Sequence, residues 1–177
     1  IFLTYFTSPI IEQKKSSLVQ KEKMMEESVD ENKENIFKNI TYTGFDTNGN
    51  NFEINAELAE IRKNESDLTY MSNVTAYFHL SKNKTIIITS EKGIYNRLTS
   101  DIFFEKNINL KEGDNILLAQ NIDVLMSKNS IIAYNDIKFN GFDSSALADK
   151  ITIDLLNKTS KISMFDNEKK VRIKLIK

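Results

Sequence analysis

The sequence contains no cysteine and no tryptophan, and its 177 residues include only one histidine, one proline and five glycines. Without cysteine the chain cannot form a disulfide, a thiolate zinc site or a thiol nucleophile. His79 lies between Phe78 and Leu80, where strand alternation turns it away from the apolar side, so we interpret it as a surface residue. No nucleophile elbow, phosphate-binding glycine loop or EF-hand spacing accompanies it. The sequence therefore predicts no catalytic residue, no metal site and no cofactor.

The charges are nearly balanced, with 24 lysines and arginines against 25 aspartates and glutamates. No basic block or stripe stands out, and nucleic-acid binding needs such a footprint, so no nucleic-acid partner is expected. The length suffices for one domain with a sizeable core. The scarcity of proline, together with abundant isoleucine, phenylalanine and tyrosine, favours β-sheet.

Residues 85–110 show the strand pattern most clearly. Ile86 and Ile88 alternate with their neighbours at the period of two that places apolar residues on one face of a strand. Gly93 predicts a bend, so this stretch is predicted to contain three short strands. Similar alternation continues to the end of the chain, and no helix is required after Ile36.

The pattern also repeats over a longer distance. Small residues recur about every thirty positions, within the range typical of repeat architectures; they are Ala56, Ser90, Ala119 and Ala148. Seventeen residues after the first three come similar pairs, namely Asn73-Val74, Asn107-Ile108 and Asp136-Ile137. The fourth copy is weaker, between residues 151 and 162. Because each copy has only one apolar face, stacked copies must bury a common core. The sequence therefore predicts one elongated all-β domain.

The first 35 residues differ from the rest in composition. Residues 1–11 open with six residues that are mostly apolar, far short of the about twenty that span a bilayer. They are interpreted either as the outer end of a membrane anchor or as an apolar terminus that frays or adds an edge strand. Residues 12–35 are rich in Lys, Glu, Ser and Gln and are predicted to form a charged tether. The β-sheet domain is predicted to span residues 36–177.

Both ends of this domain are predicted to be edge strands. Ile36 and Ile40 lie in the first strand, and Val171, Ile173 and Leu175 alternate with lysine and arginine in the last. Basic residues on an edge strand discourage indiscriminate pairing. An unpaired edge nevertheless offers backbone donors and acceptors to a strand of a chosen partner. These five residues are therefore candidate partner contacts.

Several segments resemble the periplasmic domain of the LptC family of bacterial lipopolysaccharide export. The segments GFDTNG at 44–49 and FEINA at 52–56 resemble its opening. The segment ITSEKGIYN at 88–96 is similar to its recurring pattern of a small residue, a gap, Gly, any residue, Tyr and Asp or Asn. ILLAQNIDV at 116–124 resembles the next copy. The resemblance covers approximately residues 36–176. It departs from the family in the fourth copy, where Ala148 and Ile151 replace the expected glycine segment.

The resemblance implies a twisted, open β-jellyroll built from repeated antiparallel strands and anchored in the inner membrane by an N-terminal helix. It also implies a place in the periplasm between the inner-membrane lipopolysaccharide ABC transporter and a soluble bridge protein of the same fold. The first edge strand would meet the transporter side and the last the bridge protein. Acyl chains of lipopolysaccharide would pass along the apolar interior.

The residues predicted to face this interior carry no charge. They form the candidate lipid-binding groove, which consists of Phe52, Ile54, Ile61, Ile86, Ile88, Ile102, Phe104, Val124, Ile131, Ala133, Ile153 and Ile162. Burying acyl CH₂ groups contributes about 0.8 kcal/mol each, which only an uncharged lining can use. The same residues would equally fill a dry core, and the sequence leaves both interpretations open.

Three other classes of protein compete with this one. A β-solenoid adhesin or carbohydrate-binding module would present rows of aromatic residues outward, and Tyr77, Phe103 and Tyr134 are too few for such a platform. A polysaccharide-cleaving β-helix enzyme would need clustered carboxylates with Arg or Lys on one face, which the sequence does not show. The third is the soluble bridge relative of the same fold, which a cleavable signal peptide upstream would indicate.

Overall fold

The computed structural model describes residues 35–46, 49–80, 84–157, 159–166 and 168–175. The predicted end of a membrane anchor at 1–11 and all but the last residue of the predicted tether at 12–35 lie outside these ranges. None of the described helical segments is long and apolar enough to cross a membrane.

The described chain forms a single antiparallel sheet in which neighbouring strands follow chain order from the first to the eighth. The strands are β1 (Asn35–Phe45), β2 (Asn51–Ile61), β3 (Leu68–Leu80), β4 (Lys84–Asn96), β5 (Ile102–Glu112), β6 (Asn115–Leu125), β7 (Ser130–Asn140), β8 (Ser144–Asp154), β9 (Thr159–Ser163) and β10 (Arg172–Leu175). A 3₁₀ turn at Met126–Lys128 links β6 to β7. The all-β prediction is confirmed. The antiparallel order excludes a β-solenoid, whose stacked coils pair parallel strands.

Residues 85–110 form two long strands rather than the predicted three short ones. Gly93 is buried within β4 and does not end it. A Cβ atom there would lie 3.2 Å from Cγ2 of Val74 and 3.3 Å from Cε of Met71. The glycine therefore permits close packing against β3, a role that strand alternation alone does not distinguish from a turn.

The repeat seen in the sequence marks a line along which the strands bend. Positive φ angles occur at equivalent places on alternate strands; they are Asn39 (50°), Asn73 (52°), Asn107 (50°) and Asp136 (55°). The small residues Ala56, Ser90, Ala119 and Ala148 lie at the same level on the strands between them, and the pairing register from β4 to β8 shifts there. Asn tolerates the left-handed region better than other non-glycine residues, which explains its recurrence.

Side chains on the outer surface of the bend form hydrogen bonds with one another. The Nδ2 group of Asn73 donates to Glu57, and that of Asn107 donates to Glu91. Each pair joins neighbouring strands at the point where backbone pairing is interrupted. Because these polar groups bond on the outside, the bend leaves the inner face apolar.

The bend divides the sheet into two layers that face each other. Layer A contains residues 40–45, 51–56, 74–80, 84–90, 108–112, 115–119, 137–140, 144–148 and 172–175. Layer B contains residues 35–38, 57–61, 68–72, 91–96, 102–106, 120–125, 130–135, 149–154 and 159–163. Tyr42 of layer A and Tyr95 of layer B touch across the interior, with ring centroids 4.5 Å apart and their hydroxyls hydrogen-bonded.

The core fills the space between the layers. Its largest fully buried side chains are Phe104, Ile54, Ile88, Ile102, Ile108, Ile122, Ile137 and Val74. Burying such a side chain stabilises the fold by about 1.5–3 kcal/mol. Ser90 is also buried, and its hydroxyl donates to the Lys92 carbonyl over 2.8 Å.

The two ends of the sheet differ in construction. β1 pairs along its length with β2, and within the described residues its other edge carries no strand. At the opposite end, β8 pairs with two short strands. β10 pairs with its layer A half, and β9 pairs with its layer B half.

Candidate binding site in the sheet interior

Nine of the twelve predicted groove residues are buried between the layers; they are Phe52, Ile54, Ile86, Ile88, Ile102, Phe104, Val124, Ile131 and Ala133. Ile153 and Ile162 are partly buried and pack against this core. Ile61 is partly buried at the end of β2, outside the core cluster. The structure thus brings eleven of them together on one continuous inner face.

Sequence alternation missed several of the most buried side chains. Val74, Ile108 and Ile137 are at most 2% exposed and lie on the same inner face. Each follows a positive-φ Asn or Asp at the bend. On β3 the buried positions change phase there, from Met71 to Val74. On β5 and β7 the phase is kept, from Phe104 to Ile108 and from Ala133 to Ile137. The signal was present in the recurring Asn-Val, Asn-Ile and Asp-Ile pairs, which mark the position of the bend.

Among the described residues, no charged side chain is buried in the interior. The polar contact across it is the hydroxyl pair of Tyr42 and Tyr95, whose hydrogen bond satisfies both inside an otherwise apolar space. In the described ranges, no three His, Cys, Asp or Glu side chains lie close enough to hold a metal ion. The chemistry that this surface supports is therefore burial of apolar material.

Ionisable groups with shifted pKa values lie on the outside. Partial burial raises the pKa of Asp123, and the Tyr134 hydroxyl that donates to it over 3.3 Å opposes the shift. Partial burial also raises the pKa of Tyr134. The backbone N–H of Asn157 holds the pKa of Asp154 below its usual range. None of these groups faces the interior.

The interior is closed along most of the sheet and open at the β10 end. Phe104, in the middle, is fully buried. Ile173 pairs with buried Ala146 and therefore lies on the same inner face, yet it is 61% exposed. Leu175, two residues further on, is 76% exposed. An apolar ligand would have direct access to the inner face at this end.

The five predicted edge residues are placed on the two outermost strands or beside them. On β1, Ile36 points outward and is 49% exposed, whereas Ile40 points inward and packs on the core. Ile173 and Leu175 lie on β10. Val171 precedes that strand, which begins at Arg172, so it lies outside the paired edge.

A long antiparallel sheet that bends into two layers around an uncharged interior, with one end open, defines the protein as a β-jellyroll. The sequence profile of the family described as "Lipopolysaccharide-assembly, LptC-related" matches residues 3–166. This chain belongs to that family, and its role lies in lipopolysaccharide transport. A comparison with curated protein sequences gives no significant match.

Solved structures share the fold. One similar structure is LptH from Pseudomonas aeruginosa, described as the LptA homologous periplasmic component of the conserved lipopolysaccharide transport device. It has a TM-score of 0.53 and 9% sequence identity, and the match covers 71% of this chain and 93% of LptH. At this identity the match shows the β-jellyroll fold alone.

Proposed function

We propose that the protein binds the acyl chains of lipid A between its two layers and passes lipopolysaccharide from the inner-membrane ABC transporter to a soluble periplasmic bridge protein of the same fold. The observation that carries the proposal is the continuous uncharged inner face that becomes accessible at Ile173 and Leu175. Membership in the lipopolysaccharide-assembly family supports the choice of ligand.

The energetics favour acyl chains over sugar in this space. A chain of about twelve carbons that leaves water gains on the order of 10 kcal/mol gross. Part of this gain is offset by opening the packed layers, since the middle of the interior is closed. The sugar headgroup, which needs hydrogen bonds to water, stays outside.

Photocrosslinking tests the lipid path directly. A photoreactive amino acid would replace Phe104 or Val124 on the inner face, and Phe103 on the outer face of the same region serves as the matched control. We expect lipopolysaccharide adducts in living cells from the two inner positions and none from Phe103. A folded, expressed protein that gives no adduct from either inner position would contradict the proposal.

The two edges supply the contacts with partners in this proposal. β1 pairs with the transporter side and β10 with the bridge protein, by addition of strands through their free backbone groups. An N-terminal helix holds the protein at the inner membrane, with the β-jellyroll in the periplasm. Within the described residues β1 pairs with a strand on one side only, and β10 is short, which supports this assignment.

Proline substitution distinguishes the two sides of β10. Successive backbone N–H groups of a strand point to opposite sides, so Ile173→Pro and Lys174→Pro remove hydrogen-bond donors from opposite edges of β10. One variant loses an N–H that points away from β8, and the other loses an N–H that points towards β8. We expect the variant that loses the outward donor to lose copurification of the bridge protein while its circular dichroism is unchanged. Copurification of both variants at the level of the unmodified protein would refute the edge assignment.

A further inference from the structure

The outer face of the sheet at its β10 end carries three cationic side chains that have no role in the function proposed above. Three strands contribute two residues each to a rectangular patch on this face, namely Lys138 and Asn140 of β7, Leu147 and Ser145 of β8, and Arg172 and Lys174 of β10. Lys138 and Arg172 are both cross-strand partners of Leu147, and Asn140 and Lys174 are both partners of Ser145. We call these six residues the cationic patch.

All six residues line a cleft of about 350 Å³, together with Phe139, Ala146 and Ile173, which lie between them on the same three strands. Adjacent strands lie about 4.8 Å apart, so the backbones of Lys138 and Arg172 are roughly 10 Å apart across Leu147. Their long side chains can converge over that residue. Asn140 and Ser145 add neutral hydrogen-bonding groups. This geometry suits a tetrahedral oxyanion, which takes charge-assisted hydrogen bonds from several directions.

The three cations are not neutralised by neighbouring side chains. Among the described residues no carboxylate lines this cleft, and none forms an ion pair with Lys138, Arg172 or Lys174. The adjoining cleft of about 670 Å³ differs, because Asp136 and Asp149 line it. An anion is therefore attracted to the smaller cleft rather than the larger one.

The position of the patch relates it to the lipid path. β10 presents Ile173 and Leu175 on its inner face and Arg172 and Lys174 on its outer face. Lipopolysaccharide combines apolar acyl chains with a phosphorylated sugar headgroup. A molecule whose chains lie against the open inner face therefore brings its headgroup within reach of the cations on the other side of the same short strand.

We propose that the cationic patch binds the phosphate groups of the lipopolysaccharide headgroup at the end of the domain where the interior opens. The inference rests on the proposed function, and it adds a polar contact to the apolar one.

The test compares two ligands and two charge-matched variants of the full chain. The patch variant is Lys138→Gln, Arg172→Gln and Lys174→Gln together. The control variant is Lys63→Gln, Lys111→Gln and Lys128→Gln, which removes the same charge from exposed sites elsewhere. Affinity is measured for purified lipopolysaccharide and for the same material after enzymatic removal of its phosphates, and circular dichroism checks that each variant is folded.

We expect the patch variant to bind phosphorylated lipopolysaccharide about tenfold or more weakly than the unmodified protein, the scale of losing a charge-assisted contact. Binding of the dephosphorylated form should be unchanged, and the control variant should behave as the unmodified protein does with both ligands. The difference between the two lipopolysaccharide forms should shrink as salt is raised, because the patch is exposed.

The remaining outcomes separate failure of this inference from failure of the proposed function. If the unmodified protein binds both forms equally well, the inference is overturned and the lipid path stands. If it binds neither form, the proposed function fails and the inference with it. Saturable binding of inorganic phosphate to the patch, without any effect of the patch variant on lipopolysaccharide affinity, would assign the site to free phosphate and overturn the headgroup assignment.

Discussion

The middle of the sheet and its β10 end follow the same alternation but differ in burial. Phe104 in the middle and Ile173 at the end both lie on the inner face. The first is covered by the opposite layer and the second is largely exposed. In the contact between Tyr42 of β1 and Tyr95 of β4, a strand of layer A meets a strand of layer B that lies three positions further along the sheet. Layer A therefore extends past its cover at the β10 end.

An apolar strand face is therefore necessary but not sufficient for a closed core. The side chains of β10 are as apolar on the inner side as those of β5, yet the two strands have different functions in the proposed transport path. The closed part stabilises the fold, whereas the open part is available to a ligand or a partner. Substitutions at matched positions of the two regions test this division.

The largest effect is expected from truncation at the centre. Phe104→Ala should lower the free energy of unfolding by about 3–5 kcal/mol, because it removes a fully buried aromatic ring and leaves a cavity. Ile173→Ala, its counterpart at the open end, should change stability by no more than roughly 0.5 kcal/mol. Urea denaturation followed by circular dichroism measures both. Similar losses at the two sites would mean that the β10 end is as tightly packed as the centre.

A smaller effect is expected at the bend that creates the two layers. Asn107→Val should cost about 2 kcal/mol, since a β-branched residue disfavours a φ of 50° and cannot donate to Glu91. Asn107→Gly keeps the backbone conformation and isolates the lost side-chain bond. Asn109→Val, on the exposed face two residues later, is the control. If Asn109→Val proves as costly as Asn107→Val, the bend has no special conformational demand.

The bend also shows which features of the structure could be predicted from the sequence. The all-β class, the open jellyroll and most inward residues followed from alternation and family resemblance, because both depend on local pattern. The strand count in residues 85–110 was wrong because a buried glycine such as Gly93 and a turn glycine look alike in sequence. Val74 was missed because the alternation changes phase at the bend of β3. Ile108 keeps the phase of Phe104 and was left out of the set although alternation includes it. The exposure of Ile173 depends on the displacement of the layers, a long-range property that no single strand encodes.

The tyrosine pair tests the displacement of the layers. Tyr42→Phe should lower stability by about 1–2 kcal/mol, because it leaves the hydroxyl of buried Tyr95 without this partner. The double variant with Tyr95→Phe should cost less than the sum of the two single changes, since both polar groups are then gone. Additive losses in a double-mutant cycle would show that the two hydroxyls do not interact and would remove this support for the displacement.

The smallest effect concerns the outer face of the closed region, where Asp123 contacts Tyr134. Burial raises the pKa of Asp123 in the folded protein above its ordinary value, so the folded state binds this proton more tightly than the unfolded chain does. Stability due to this group is therefore greatest below the unfolded pKa and declines as the pH rises through the folded pKa.

Asp123→Asn should abolish that decline, so the variant should gain stability relative to the unmodified protein between pH about 3 and pH about 7. Urea denaturation at the two pH values measures the change, with Asp114→Asn in an exposed turn as the control. A relative gain that is equal for both variants would show that packing on the outer face of the closed region does not desolvate Asp123.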